Sequence, residues 1–122
     1  MADLISERDM ELAINTYNDL TLEHPDGGMS EIARLIHNAN LFEAMVPAVE
    51  AQLADAISEG YQKMPIDKIK WKARASKEYG DALKKAARAA GELGAARLRL
   101  KAAENVIEIW RTQNANNRKG HF

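Results

Sequence analysis

The sequence contains no cysteine. Structural disulfides, thiolate metal sites and cysteine nucleophiles are therefore excluded, and a reducing, cytoplasmic setting is the expectation. Proline is scarce, at three in 122 residues, so few helices can be ended by one. No apolar run approaches the ~20 residues that span a bilayer, so no membrane partner is expected. The opening Met1-Ala2-Asp3-Leu4-Ile5-Ser6-Glu7 is acidic, unlike a secretory signal or a basic transit peptide. Val and Ile form no alternating run, which leaves no candidate strand. The constellations of catalysis are missing too. Gly27-Gly28 and the later glycines fit no phosphate-cradling loop. Thr21 and Arg34 stand three residues before His24 and His37, so the Glu-x-x-His pattern of di-iron bundles fails. His24, His37 and His121 share no ligand spacing, and Ser6, Ser30, Ser58 and Ser76 have no accompanying base motif. Neither an enzyme nor a metal or other cofactor is expected.

What is present is enough apolar material to fold: 46% hydrophobic residues beside 29% charged ones. The length suits one helical domain over 1–122, since domains commonly run to about 100–150 residues. The formal net charge of −1 conceals an asymmetry. Residues 1–62 hold twelve acids and two bases (Arg8 and Arg34), whereas residues 63–122 hold fifteen bases and six acids. Such a split suits attraction of an anion by the basic half, or pairing of the two halves between copies.

Apolar spacing predicts three helices of an all-α fold. The first covers 1–23, with Ser6 and Asp9 spaced as a capping pair and Met10, Ala13, Ile14, Tyr17 and Leu20 as its stripe. His24-Pro25-Asp26-Gly27-Gly28 breaks the chain. A second helix over 29–60 restarts at Ser30 as N-cap. Its stripe from Ile32 to Tyr61 passes Pro47 in phase, which suits one kinked helix, with a fresh helix starting at Pro47 as the alternative. A long third helix over 65–114 and a polar tail over 115–122 complete the chain.

The long helix carries a regular seam: Ala75, Tyr79, Ala82, Ala86, Ala89, Leu93, Ala96, Leu100, Ala103, Ile107 and Trp110. These positions recur every 3.5 residues, the period of a coiled coil. Alanine dominates one half of the seam, so stability requires close helix approach. Gly80, Gly91 and Gly94 each cost about 1 kcal/mol in a helix interior, which tight helix contact would offset. A helix of roughly 48 residues is about 70 Å long, more than two shorter helices were expected to cover. A homo-oligomer seam from Tyr79 to Trp110 is the resulting expectation.

Lys70, Arg74, Lys77, Lys84 and Arg88 recur at helical spacing, with Lys85 beside them and Asp81 interrupting. Such a stripe matches a nucleic-acid backbone; equally, it suits a solvated flank that pairs with acids of the same or another chain. Trp71, among Lys68, Lys70, Lys72 and Arg74, is the best candidate to stack on an unpaired base, with a place in the core as the alternative.

The segment from Ala102 to Arg118 resembles the end of small helical proteins of tailed phages and prophages, encoded near recombination and single-strand annealing genes. The matching positions are Ala103, Glu104, Ile107, Glu108, Trp110, Arg111, Thr112, Gln113, Ala115 and Arg118. The Tyr79–Ala86 stretch and Ser6-Glu7-Arg8-Asp9-Met10 are also similar, so about half the chain is covered, and residues 24–64 are not. In size and helical character such proteins are distantly similar to the recombination mediators of T-even phages. Those form rings, bind single-stranded DNA and help load a recombinase onto strands coated by single-strand-binding protein. The resemblance implies an accessory role in recombination within the host-cell cytoplasm, with Arg111 and Arg118 as DNA or subunit contacts. A structural or adaptor protein without nucleic acid is the competing expectation.

Overall fold

The structure, a computed structural model, describes residues 4–60 and 64–119, the side chains of 118 and 119 excepted. The described residues form four helices and no strand: α1 (Glu7–Thr21), α2 (Glu31–Gly60), α3 (Ile66–Arg74) and α4 (Lys77–Lys119). The all-α class and the long C-terminal helix are as the sequence indicates. One boundary, and the end of the chain, are not.

Local chemistry explains each start. Ser6 Oγ accepts from the Asp9 N–H (3.1 Å) and Asp9 Oδ2 accepts from the Ser6 N–H (3.4 Å), which closes a capping box on α1. After α1, the Gly27 N–H donates to the His24 carbonyl (2.9 Å), and Gly27 takes φ +86°, a conformation that favours glycine. Ser30 Oγ then caps α2 by accepting from the Ala33 N–H (3.2 Å). Arg34 joins Glu31 across one turn and holds the Glu31 carboxyl below the usual carboxylate range, chiefly by hydrogen bonding. α2 runs through Pro47 as a single helix, so Pro47 starts no new element.

The single helix expected over 65–114 is two helices. Ser76 divides them, because its hydroxyl donates to the Ala73 carbonyl (2.7 Å) and accepts from the Tyr79 N–H (3.2 Å). A serine side chain that bonds backbone on both sides ends one helix and caps the next. The polar tail expected over 115–122 is helical as far as Lys119, and the rest of it lies outside the described residues. No proline or glycine intervenes between Gly94 and Gly120, and α4 continues to Lys119.

Contacts divide the chain into two compact units, one made of residues up to Arg34 with those from Gly94 onward, the other of Leu35–Leu93. In the first, α1 lies antiparallel to the C-terminal part of α4. The Gln113 amide donates to the Ile5 carbonyl (3.4 Å) and accepts from the Ile5 N–H (3.0 Å), while Ala13 and Thr16 lie beside Arg99 and Ala103. Ala13, Leu20, Ala96 and Ala103 are buried there. In the second unit, α2 runs antiparallel to the start of α4, with Asn38 near Glu92 and Leu53 near Glu78. Leu35, Ala73, Ala89 and Leu93 are buried there.

The seam residues of α4 are covered in part within one copy of the chain. Ala89, Leu93, Ala96 and Ala103 are buried, and Tyr79, Ala82, Ala86, Leu100, Ile107 and Trp110 are half-buried. α1 lies along the C-terminal part of α4 and α2 along its start. A Cβ at Gly80, Gly91 or Gly94 would meet nothing within 4 Å, so none of them admits a neighbouring helix of the same copy.

Two substitutions test this account. Ser76→Ala removes the cap of α4 and should lower stability by about 1 kcal/mol in urea unfolding. Gly91→Ala meets open space, so it should raise stability by roughly 0.5–1 kcal/mol in the same assay.

Candidate nucleic-acid interface

The basic residues singled out in the sequence divide between the units. Lys70, Trp71, Arg74, Lys77, Lys84, Lys85 and Arg88 belong to the Leu35–Leu93 unit, whereas Arg111 and Arg118 belong to the other. Arg118 lies in the last turn of α4, and its side chain is outside the described residues.

α3 is placed by its flanks. Pro65 stands at its N-cap position, Asp67 occupies the first turn, and Lys72 and Arg74 occupy the last, each charge matched to the helix dipole. Ala73 is fully buried and Ile69 and Lys72 half-buried, which fixes the inward face. Lys68, Lys70, Trp71 and Arg74 are consequently exposed. Trp71 is 68% exposed, which removes the core alternative and leaves a large ring at the surface between cations.

Arg74 has a second attachment that the sequence did not disclose. Its Nε donates to Glu50 Oε1 of α2 at 3.1 Å, and the guanidinium stays 60% exposed while the carboxylate is 19% exposed. The pair ties the end of α3 to α2. The two residues are 24 apart in sequence, so helical spacing carried no signal of it.

Farther along, Lys77, Lys84 and Arg88 share an exposed face of α4, with Asp81 set into it. Lys85 and Arg88 turn toward α2 and line a hollow of about 280 Å³ with Asn38, Phe42, Ala89 and Glu92. Lys85 also borders a hollow of about 390 Å³ that contains Glu78 and Asp81. Among the described residues, no ion pair is formed by Lys70, Lys77, Lys84, Lys85 or Arg88. The surface is therefore basic, rimmed by carboxylates on the α2 side, and carries one exposed ring.

In the other unit, α1 and the C-terminal part of α4 enclose a half-open hollow of about 590 Å³. Its lining includes Met10, Ile14 and Tyr17 from α1, and Glu104, Ile107, Glu108, Trp110 and Arg111 from α4. Arg111 thus stands beside two carboxylate-bearing residues on a groove. Gln113, from the same stretch, holds Ile5 instead. No spacing along the chain signals the hollow, because it pairs residues almost a chain length apart.

Among the described residues, no group of three or more His, Asp or Glu side chains could hold a metal ion, and no helix is long and apolar enough to cross a membrane. His121 lies outside the described residues. Set against known proteins, the chain matches no family model, no curated protein and no solved structure.

The two tryptophans report the geometry directly. With Trp110→Phe, the remaining Trp71 should be quenched by acrylamide nearly as readily as free tryptophan. With Trp71→Phe, the half-buried Trp110 should be quenched measurably less.

Proposed function

We propose that the protein binds single-stranded DNA through α3 and the first turns of α4, as a non-catalytic, phage-type accessory of homologous recombination or recombinase loading. The observation that carries this reading is Trp71, 68% exposed on a helix turn whose other exposed side chains include Lys68, Lys70 and Arg74. Burying a tryptophan stabilises a fold, so one left at the surface is available to a partner. An unpaired base offers a ring to stack on, and its phosphates suit Lys70, Lys77 and Lys84. Duplex DNA offers such cations the same phosphates but no free base face. The resemblance of the Ala102–Arg118 segment to phage recombination accessories supports the biological role, with self-association, a recombinase or a single-strand-binding protein as its protein partners, in the host-cell cytoplasm.

The Arg74–Glu50 pair favours a second reading, an adaptor in which acidic and basic halves pair between molecules. One cation of the basic half already takes an acid of the other half within the chain.

Fluorescence anisotropy with labelled single-stranded and duplex oligonucleotides separates the two. Binding should favour the single strand and weaken with salt, by about 0.7 in log–log slope for each phosphate contacted. Trp71→Ala should lower single-strand affinity by roughly 1–3 kcal/mol, as loss of one stacked base does. Lys70→Glu/Lys77→Glu/Lys84→Glu should abolish binding with the circular dichroism spectrum unchanged; Arg74 is left in place because it holds Glu50. Absence of binding at low salt would exclude DNA and leave the adaptor.

A further inference from the structure

The hollow between α1 and the end of α4 has no part in the proposed DNA surface and lies in a different unit from Trp71. Its floor is apolar. Met10, Ile14 and Tyr17 recur on one face of α1 opposite Ile107 and Trp110 of α4. Ile14 and Tyr17 are each 37% exposed and Trp110 is half-buried, so this floor is incompletely covered. Two antiparallel helices leave an open third position alongside them, and a third helix is what completes such packing. Met10 to Tyr17 spans two turns, about 10 Å, the length that side chains at i, i+3 or i+4, and i+7 of a docked helix occupy.

The rim selects the charge of that helix. Glu104 and Glu108 border the hollow on α4. Glu7 and Glu11 are exposed on the row of α1 adjoining Met10 and Ile14. Arg111 is the one cation of the lining against Glu104 and Glu108, and beyond it Lys101 on the same row of α4 stands against Glu7 and Glu11, which leaves the border acidic. A second copy offering the same groove would set concave face against concave face and carboxylates against carboxylates. A basic helix meets neither obstacle.

We propose that this hollow receives the apolar face of a basic amphipathic helix from another protein. The proposal is independent of DNA binding, since the groove shares no residue with the surface around Trp71.

The test uses the full chain with Trp71→Phe, which leaves Trp110 as the only tryptophan. The probes are a synthetic amphipathic helix of leucine and lysine and its counterpart with glutamate for lysine. The lysine peptide should shift Trp110 emission to the blue and bind at least ~10-fold more tightly than the glutamate peptide. Glu104→Lys/Glu108→Lys, at two exposed positions, should reverse that preference, and Ile14→Ser should weaken whichever peptide binds. Equal affinities, no binding of either peptide, or lysine-peptide binding indifferent to the reversed charges would overturn the proposal. So would a Trp110 blue shift that appears with protein concentration alone alongside dimer formation in sedimentation, because the occupant would then be a second copy.

Discussion

Close approach along the 3.5-residue seam of α4 is the constraint on which the rest of the protein depends. α4 is packed most closely where a short side chain lets another backbone come near, and alanine provides that at Ala89, Ala96 and Ala103, with Leu93 the one larger seam residue buried among the described residues. Ala13 on α1, which lines the same hollow as Ala103, is buried too, as is Ala73 on α3. Among the described residues, five of the eight buried apolar ones are alanines, so each contact removes little surface from water. Stability is thus spread over many shallow contacts, and the ends need fastening. Gln113 fastens one by binding both backbone groups of Ile5, and Glu50 fastens α3 through Arg74.

A core built this way leaves large apolar side chains at the surface. Trp71, Ile66, Leu98 and Leu12 are all more than half exposed. Single exposed apolar residues are ordinary in proteins. Trp71 differs in its setting, on the outward face of a short helix dense in cations. The hollow beside Met10 and Trp110 differs in another way, as a continuous apolar floor with acidic borders. The two surfaces carry opposite charge, which is how a chain of near-zero net charge can present distinct faces to distinct partners.

Ser76 shows how one hydroxyl redirects the basic surface. An unbroken helix through residues 65–114 would have continued the Lys70–Arg74 row directly into Lys77–Arg88 on one rod. The serine ends α3 at Arg74, and Arg74 is then held by α2 through Glu50. Trp71 accordingly belongs to a short helix whose inward face is set by Ala73, independent of the seam that orients Tyr79 and Ala86.

Although the structure chose continuity of α2 through Pro47 over a new start there, sequence by itself determined the all-helical class, the caps at Ser6 and Ser30 and the alanine-rich seam. These are local matters: caps act over three residues and helical period over a few turns. It also disclosed the charge division, which is arithmetic. Tertiary structure alone decided which helix lies on which part of α4, α1 on its C-terminal part and α2 on its start, because the period of α4 is the same throughout. It decided that Trp71 faces outward, that Arg74 meets Glu50, and that Gly91 and Gly94 face open space. The groove that pairs Met10 with Trp110 arises the same way. Each of these outcomes joins residues that no local spacing connects, and only packing selects among the faces that periodicity allows.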